Sequence, residues 1–119
     1  WNCWTKPEHI IHWNFASEDW YCPSATNDLF VENRFNWRME AKDGSFGFDF
    51  TGHYTNIVKH QLIEYRLDDD RFVSVQFIER ADGVELVETF EAESENSIEL
   101  QTIGWQAILD NFKKYCLID

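Results

Sequence analysis

Two histidines, His9 and His12, stand three positions apart in the segment EHIIH. This spacing places both imidazoles on one face of a helix, where they could contribute ligands to a zinc site. A structural or catalytic zinc site needs further ligands, and none stands nearby at a suitable spacing. We therefore expect surface histidines beside Trp13, and neither a metal site nor a cofactor.

Two acidic residues, Glu64 and Glu88, are candidates for acid–base chemistry. A cyclase or dehydratase could use such a carboxyl group, or a tyrosine, if it faced the inside of a cavity and had a perturbed pKa. The sequence does not show whether either strand turns its glutamate inward. It contains no GxSxG, HExxH, phosphate-loop or dinucleotide-binding motif. These observations favour a binding protein over an enzyme and leave the cyclase or dehydratase hypothesis open.

Charge, hydropathy and cysteine content indicate the partners and the cellular environment of the protein. The 119 residues include 22 acidic and 10 basic side chains, for a net charge of -12, which repels nucleic acids and anionic membrane surfaces. No apolar run is long enough to span a membrane, and the first residues lack the pattern of a signal peptide. We expect a cytoplasmic protein. Its three cysteines form no CxxC or zinc-type spacing, which predicts buried reduced thiols.

The segment from 34 to 54, RFNWRMEAKDGSFGFDFTGHY, has apolar side chains at every second position on each side of Asp43-Gly44. This pattern predicts a β-hairpin with a two-residue type I′ turn, one aromatic face and one polar face. On the polar face we expect an exposed Arg38–Asp49 ion pair. The predicted register pairs Lys42 with Ser45, Met39 with Phe48, Trp37 with Phe50, Asn36 with Thr51 and Arg34 with His53.

Further turn signals between Trp20 and Glu91 predict about six antiparallel strands. At Asp68 to Asp70, a three-residue loop with Asp70 in the left-handed conformation aligns Ile63, Tyr65 and Leu67 with Val73, Val75 and Phe77. At Asp82-Gly83 two registers remain open. A three-residue loop pairs Phe77 with Val87, and a two-residue loop pairs Val75 with Phe90.

Helices are predicted at both ends of the sequence. Pro7 predicts the first turn of a short helix that follows the end of another, with the junction at Thr5 or Lys6. The spacing of Trp105, Ile108, Leu109, Phe112 and Cys116 predicts one long amphipathic helix from about 96 to 116. Asn96 and Glu99 suggest its capping box. Gly104 lies inside this helix, where glycine is unfavourable, so we expect close approach of the helix backbone to the sheet or to a ligand.

An antiparallel sheet with one apolar face and a single helix with one apolar stripe can bury those surfaces only against each other. A curved sheet and a straight helix do not pack closely along their whole length, so we expect a cavity between them. The side chains expected to line it are Trp37, Met39, Phe48, Phe50, Tyr65, Gly104, Trp105 and Leu109.

Three ordered motifs, WTKPEHIIHW, RFNWRMEAKDGS with GFDFTGHYTNI, and GWQAILDNFKKY, span the chain. With them the sequence resembles the START/Bet v 1-like (SRPBCC) superfamily, and within it the branch of the heat-shock-protein-90 ATPase activator homologue C-terminal domain. The resemblance implies one α+β helix-grip domain over residues 1–119, in which a curved antiparallel sheet wraps a long C-terminal helix. It also implies an apolar cavity for lipids, polyketides, flavonoids or other hydrophobic small molecules.

The family normally begins with a strand before its first helix, whereas this sequence starts at Trp1. We therefore expect that about 15 residues, enough for one strand and a turn, precede it in the native chain. The favoured function is a binding module for an apolar small molecule. A co-chaperone-like module that binds a chaperone is the alternative, and it depends on the family's name alone.

Overall fold

The structure is a computed structural model that describes residues 1–94 and 96–117. It confirms the α+β helix-grip architecture, with two short N-terminal helices, six antiparallel strands in the order β1-β2-β3-β4-β5-β6, and a long C-terminal helix. The elements are α1 Asn2–Thr5, α2 Pro7–Ile10, β1 Trp20–Asn27, β2 Arg34–Ala41, β3 Gly47–Val58, β4 Leu62–Leu67, β5 Phe72–Arg80, β6 Gly83–Phe90 and α3 Ile98–Leu117. None of the helices in the described part of the chain has the length and apolarity needed to cross a bilayer.

The β2–β3 hairpin has the predicted register, including Trp37 opposite Phe50 and Arg38 opposite Asp49. The predicted type I′ turn is wrong, because Gly44 has a φ of 76° whereas Asp43 has no positive φ. The amide of Gly44 donates to the carbonyl of Ala41 at 3.0 Å, within a loop of four residues rather than two. A four-residue loop adds one residue to each side of the turn, so Lys42 and Ser45 lie in the loop and the other predicted pairs stay the same.

The β4–β5 loop matches the expected geometry. Asp70 has a φ of 74°, in the left-handed region, and its amide donates to the carbonyl of Leu67 at 2.8 Å. Tyr65 lies opposite Val73 and Ile63 opposite Val75, as predicted. The buried side chains of both strands therefore share the inner face of the sheet.

The β5–β6 hairpin adopts neither of the two registers left open. Arg80 pairs with Gly83, so the loop consists of residues 81 and 82, and Phe90 lies opposite Val73 rather than Val75. Glu88 consequently lies opposite Val75, which is completely buried on the inner face. Residues directly opposite each other in a sheet share a face, so this register directs Glu88 inward.

The N-terminal helices pack on the inner face of the sheet and on α3. Pro7 is the first residue of α2, and Lys6 forms the extended junction with α1, as predicted. The rings of Trp4 and Trp13 stack at a centroid distance of 4.7 Å, and both contact the edge of Phe112 at 5.0 Å. This aromatic cluster joins the N-terminal segment to the last helix and to the buried core.

The N-terminal cap of helix α3 lies one residue later than predicted. The hydroxyl oxygen of Ser97 accepts from the amide of Leu100 at 3.1 Å, so Ser97, and not Asn96, caps the helix. The buried side chain of Gln101 holds the preceding loop by accepting from the amide of Glu93 at 2.8 Å and donating to the carbonyl of Asn96 at 2.9 Å. Four residues of the predicted apolar stripe, Trp105, Ile108, Leu109 and Phe112, pack against the core cluster.

Candidate ligand-binding cavity

A cavity of about 210 Å³ lies between the inner face of the sheet, α3 and the N-terminal segment. Side chains of four strands, β2, β3, β4 and β6, meet those of α1, α3 and the connecting segments there, because the curved sheet directs these strands toward the same helix. The lining residues are Trp4, Trp13, Asn14, Trp37, Met39, Phe48, Phe50, Tyr65, Arg71, Glu88, Glu93, Trp105 and Ile108.

Six of the eight side chains expected around a cavity are brought together there: Trp37, Met39, Phe48, Phe50, Tyr65 and Trp105. Leu109 packs against the core cluster and is not part of the lining. The sheet does not approach the helix backbone closely at Gly104, and Gly104 is not part of the lining. A Cβ atom at this position would have no heavy atom within 4 Å, apart from the neighbouring helix backbone.

Aromatic rings form most of the cavity wall. Trp37 stacks on Phe50 with a centroid distance of 5.7 Å, and Phe50 meets Trp105 edge to face at 6.2 Å. Trp105 is held in turn by Phe90, whose ring is nearly parallel to it at 4.3 Å. These contacts fix the ring orientations, so a ligand would meet a largely preformed surface.

Two aromatic residues of the β2–β3 hairpin are more exposed than the alternating pattern predicts. Phe48 lines the cavity but is 41% exposed, and Phe46 is 64% exposed. Both rings contact Trp20 of β1, at centroid distances of 6.0 and 6.1 Å. The aromatic face thus continues from the core onto a partly exposed rim.

Glu88 is the polar residue whose direction the alternating pattern of β6 leaves open. Its carboxyl lines the cavity, and burial raises its pKa from 4.5 to about 8. The side chain lies on the inner face of the sheet, at the cavity, and keeps an intermediate accessible area. Among the described residues, no hydrogen bond or ion pair engages this carboxyl, and burial alone shifts its pKa. It is therefore a neutral acid at pH 7, with an unused capacity for hydrogen bonding or ion pairing.

Glu64, the other candidate acid, does not reach the cavity. It lies opposite Ser74 and accepts a hydrogen bond from the side-chain amide of Asn56 at 3.2 Å on the outer side of the sheet. Glu64 and Tyr65 are neighbours on one strand, so their side chains point to opposite faces. Because Tyr65 is buried on the inner face, Glu64 must face outward.

The remaining polar groups of the lining have different environments. Burial, followed by the nearby charge of Glu88, raises the pKa of the Tyr65 hydroxyl well above its ordinary value. The guanidinium of Arg71 pairs with Asp69 at 2.8 Å, and the carboxylate of Glu93 accepts from the side-chain amide of Asn96. The indole N–H of Trp37 is buried and has no acceptor in the described part of the chain.

The histidines and the Arg38–Asp49 pair lie outside the cavity lining. His9 Nδ1 is 2.6 Å from the hydroxyl of Tyr115, and the ring of His12 stacks on the same tyrosine. Both histidines therefore attach the N-terminal segment to α3. Arg38 lies 3.6 Å from Asp49, as the register predicts, but makes a closer contact with Glu40 at 3.0 Å.

Comparison with known proteins supports this architecture. The family described as Activator of Hsp90 ATPase homolog 1-like protein matches residues 1–116. The chain belongs to this family. The AHSA1-like protein from Aeromonas hydrophila, solved by NMR, is 45% identical and superposes with a TM-score of 0.91, over 97% of this chain and 80% of its own.

Two further solved structures extend the comparison. A protein from Cytophaga hutchinsonii is also 45% identical, with a TM-score of 0.84 over 98% of this chain and 81% of its own. A protein from Chromobacterium violaceum is 21% identical, with a TM-score of 0.86 over 99% of this chain and 87% of its own, and this likeness shows the fold alone. No curated protein matches the chain with significance. Family membership supports a ligand-binding or co-chaperone-like module.

Proposed function

We propose that this protein binds an apolar small molecule in the cavity between the sheet and α3. The observation that carries the proposal is that Trp37, Phe50 and Trp105 line an open space instead of filling it. Protein interiors are packed as densely as organic crystals, so an aromatic-lined void forfeits dispersion contacts that a ligand can restore. The favoured function is therefore binding of a hydrophobic small molecule.

The volume of the cavity limits the size of the ligand that it can hold. Its volume of about 210 Å³ exceeds the roughly 150 Å³ of an engineered apolar cavity that holds benzene, and is below the roughly 300–1,000 Å³ of drug-sized pockets. A small aromatic compound fits without rearrangement. A fatty acid, polyketide or flavonoid is larger than this volume and would require the cavity to widen.

Tryptophan fluorescence and thermal unfolding test this proposal, because four of the lining residues are tryptophans. Titration with small aromatic compounds, fatty acids and flavonoids should change the fluorescence, and a bound ligand should raise Tm. A ligand at a hundredfold excess over Kd stabilises the folded state by about 2.7 kcal/mol. If no class of compound produces either response, the proposal is refuted.

A matched pair of variants on α3 locates the binding site. Ile108→Phe adds bulk to a residue that lines the cavity, so it should abolish the ligand response. Ile103→Phe adds the same bulk to a side chain that is 67% exposed and should bind as the wild type does. Equal binding by both variants would place the ligand elsewhere.

A co-chaperone-like function is the second candidate, favoured by apolar side chains exposed near the start of α3. Ile98, Leu100 and Ile103 are each more than half exposed, at 68%, 62% and 67%. Leu100 and Ile103 stand three positions apart on one side of α3, and exposed apolar patches mark surfaces that bind other proteins. The test is stimulation of an Hsp90 ATPase, which Ile103→Ser should weaken and the cavity-filling Ile108→Phe should leave unchanged.

Only the inward orientation of Glu88 supports the cyclase or dehydratase hypothesis. A general acid acts within a constellation that also positions the substrate or a second catalytic group. No described side chain forms a hydrogen bond with the carboxyl of Glu88. Binding therefore explains this residue with fewer assumptions than catalysis does.

A further inference from the structure

Glu88 is an isolated acid on an otherwise apolar strand face. Its same-face neighbours on β6 are Leu86 and Phe90, and Val75 lies opposite it. An ionised carboxylate in such surroundings is strongly disfavoured unless a cation or several hydrogen-bond donors accompany it. No described side chain forms an ion pair or hydrogen bond with the Glu88 carboxyl, so a cationic group from outside the chain would complete the pair.

The charged groups around the cavity leave this role open to a ligand. From the β4–β5 loop, Arg71 contributes the cation of the lining, and its guanidinium is paired with Asp69 at 2.8 Å. Glu93, in the segment before α3, adds a second carboxylate. The hydroxyl of Tyr65 on β4 stays neutral because its pKa is raised. The segment of α3 that faces them contributes apolar Trp105 and Ile108. Together with the net charge of -12 of the whole chain, this arrangement favours entry of a cation.

The aromatic wall favours a cation as well. The faces of Trp and Phe rings carry negative electrostatic potential and attract ammonium groups within about 6 Å. Trp37, Phe50 and Trp105 also provide a stacking surface for a flat apolar body. A molecule with an ammonium group and a flat apolar body would pair with the isolated acid and pack against the aromatic surface.

We propose that the cavity selects a small ligand that carries one protonated amine on an apolar body, with the ammonium paired to the carboxylate of Glu88 and the body packed against Trp37, Phe50 and Trp105. This inference rests on the proposed function, because it specifies the ligand of the same cavity. The ammonium stays protonated, and Glu88 releases its own proton to solvent when the pair forms.

The proposal predicts a characteristic pH dependence. Burial keeps Glu88 protonated until its pKa of about 8, so the ammonium ligand must displace a proton at pH 7. By linkage, affinity should rise about ninefold from pH 6 to 7 and about fivefold from pH 7 to 8. A neutral ligand that accepts a hydrogen bond from the protonated acid would show no such rise.

Benzylamine and benzyl alcohol form a matched pair of probes, since they differ only in the terminal group. Calorimetric titrations should show at least tenfold tighter binding of benzylamine at pH 8. Glu88→Gln should remove this preference without weakening benzyl alcohol binding, whereas Glu64→Gln, on the outer face, should behave as wild type. Titrations in phosphate and Tris at pH 7 should show release of about one proton per bound benzylamine.

The outcomes separate this inference from the proposed function. If benzyl alcohol binds as tightly as benzylamine, or if Glu88→Gln leaves benzylamine binding unchanged, amine selection is refuted while the cavity remains a binding site. If neither probe nor any other compound of the fluorescence panel binds, both proposals are refuted. Absence of proton release at pH 7 contradicts the pairing with Glu88 even if benzylamine binds.

Discussion

Replacing Glu88 with glutamine should stabilise the folded protein at neutral pH, by an amount that grows as the pH rises. Burial raises the pKa of this carboxyl from 4.5 to about 8 in the folded state. Between these values the unfolded chain has released the proton and the folded chain still holds it. The folded state is therefore progressively disfavoured as pH increases through this window. Glutamine has no such proton, so the variant avoids this loss.

The magnitude follows from the size of the pKa shift. Each unit between the unfolded pKa and the experimental pH costs about 1.4 kcal/mol, so the cost at pH 7 is about 3 kcal/mol. At pH 5 the same calculation gives less than about 1 kcal/mol. Water in the cavity would screen the carboxylate, so these figures are upper values. For a domain of this size, the difference at pH 7 corresponds to an increase in Tm of roughly 10 °C.

Urea unfolding of the wild type and Glu88→Gln at pH 5, 6 and 7 measures the effect directly. Comparison of the two proteins at each pH cancels the contributions of groups that they share. Glu64→Gln removes a carboxylate from the outer face and should show no gain that grows with pH. A constant difference between Glu88→Gln and wild type, or a loss of stability at pH 7, would refute the assignment of Glu88 as a buried, unpaired acid.

Three further predictions concern stability measured by the same urea unfolding. Gly104→Ala should stabilise by about 0.5–1 kcal/mol, because the new Cβ meets open space and alanine favours helix; destabilisation would show that the helix is more closely packed there. Gly52→Ala should destabilise by roughly 1–3 kcal/mol, since its Cβ would lie 2.5 Å from the backbone oxygen of Arg66; an unchanged unfolding midpoint would contradict this crowding. Ser97→Ala should cost about 1 kcal/mol through loss of the cap, and Asn96→Ala, tested in parallel, should cost less if Ser97 is the capping residue.

Local patterns were sufficient to predict the β2–β3 hairpin. Its strands alternate strictly, and a one-residue slip would expose Trp37 and bury Arg38, so the hydrophobic pattern selects one register. The predicted turn type was wrong, because loops of two and of four residues give the same strand pairing and the hydrophobic pattern cannot distinguish them. The β4–β5 loop was also predictable, since Asp70 is among the few residues that tolerate a positive φ.

The β5–β6 register depended on interactions that alternation does not encode. Strand β6 has apolar residues on both faces, Val87 on one and Leu86 on the other, so the pattern supports more than one pairing. In the structure, Arg80 and Glu85 form an ion pair at 2.6 Å beside the two-residue loop, and Leu86 and Phe90 pack on the core. These contacts join residues of separate strands and exist only once the chain has folded.

The sequence by itself determined an antiparallel sheet, a long C-terminal helix and which aromatic side chains face the interior, because alternating and helical hydrophobic spacing specify which face of each element is buried. The helix-grip architecture was implied by the resemblance to a known family. Tertiary structure decided where the wall opens and which acid it contains. Leu109 and Gly104 share α3 with Trp105 but do not line the cavity, since the rotation of the helix against the sheet selects among neighbouring positions. Glu88 enters the cavity because pairing between β5 and β6 fixes its face, and that pairing is settled by packing across the sheet rather than by local sequence.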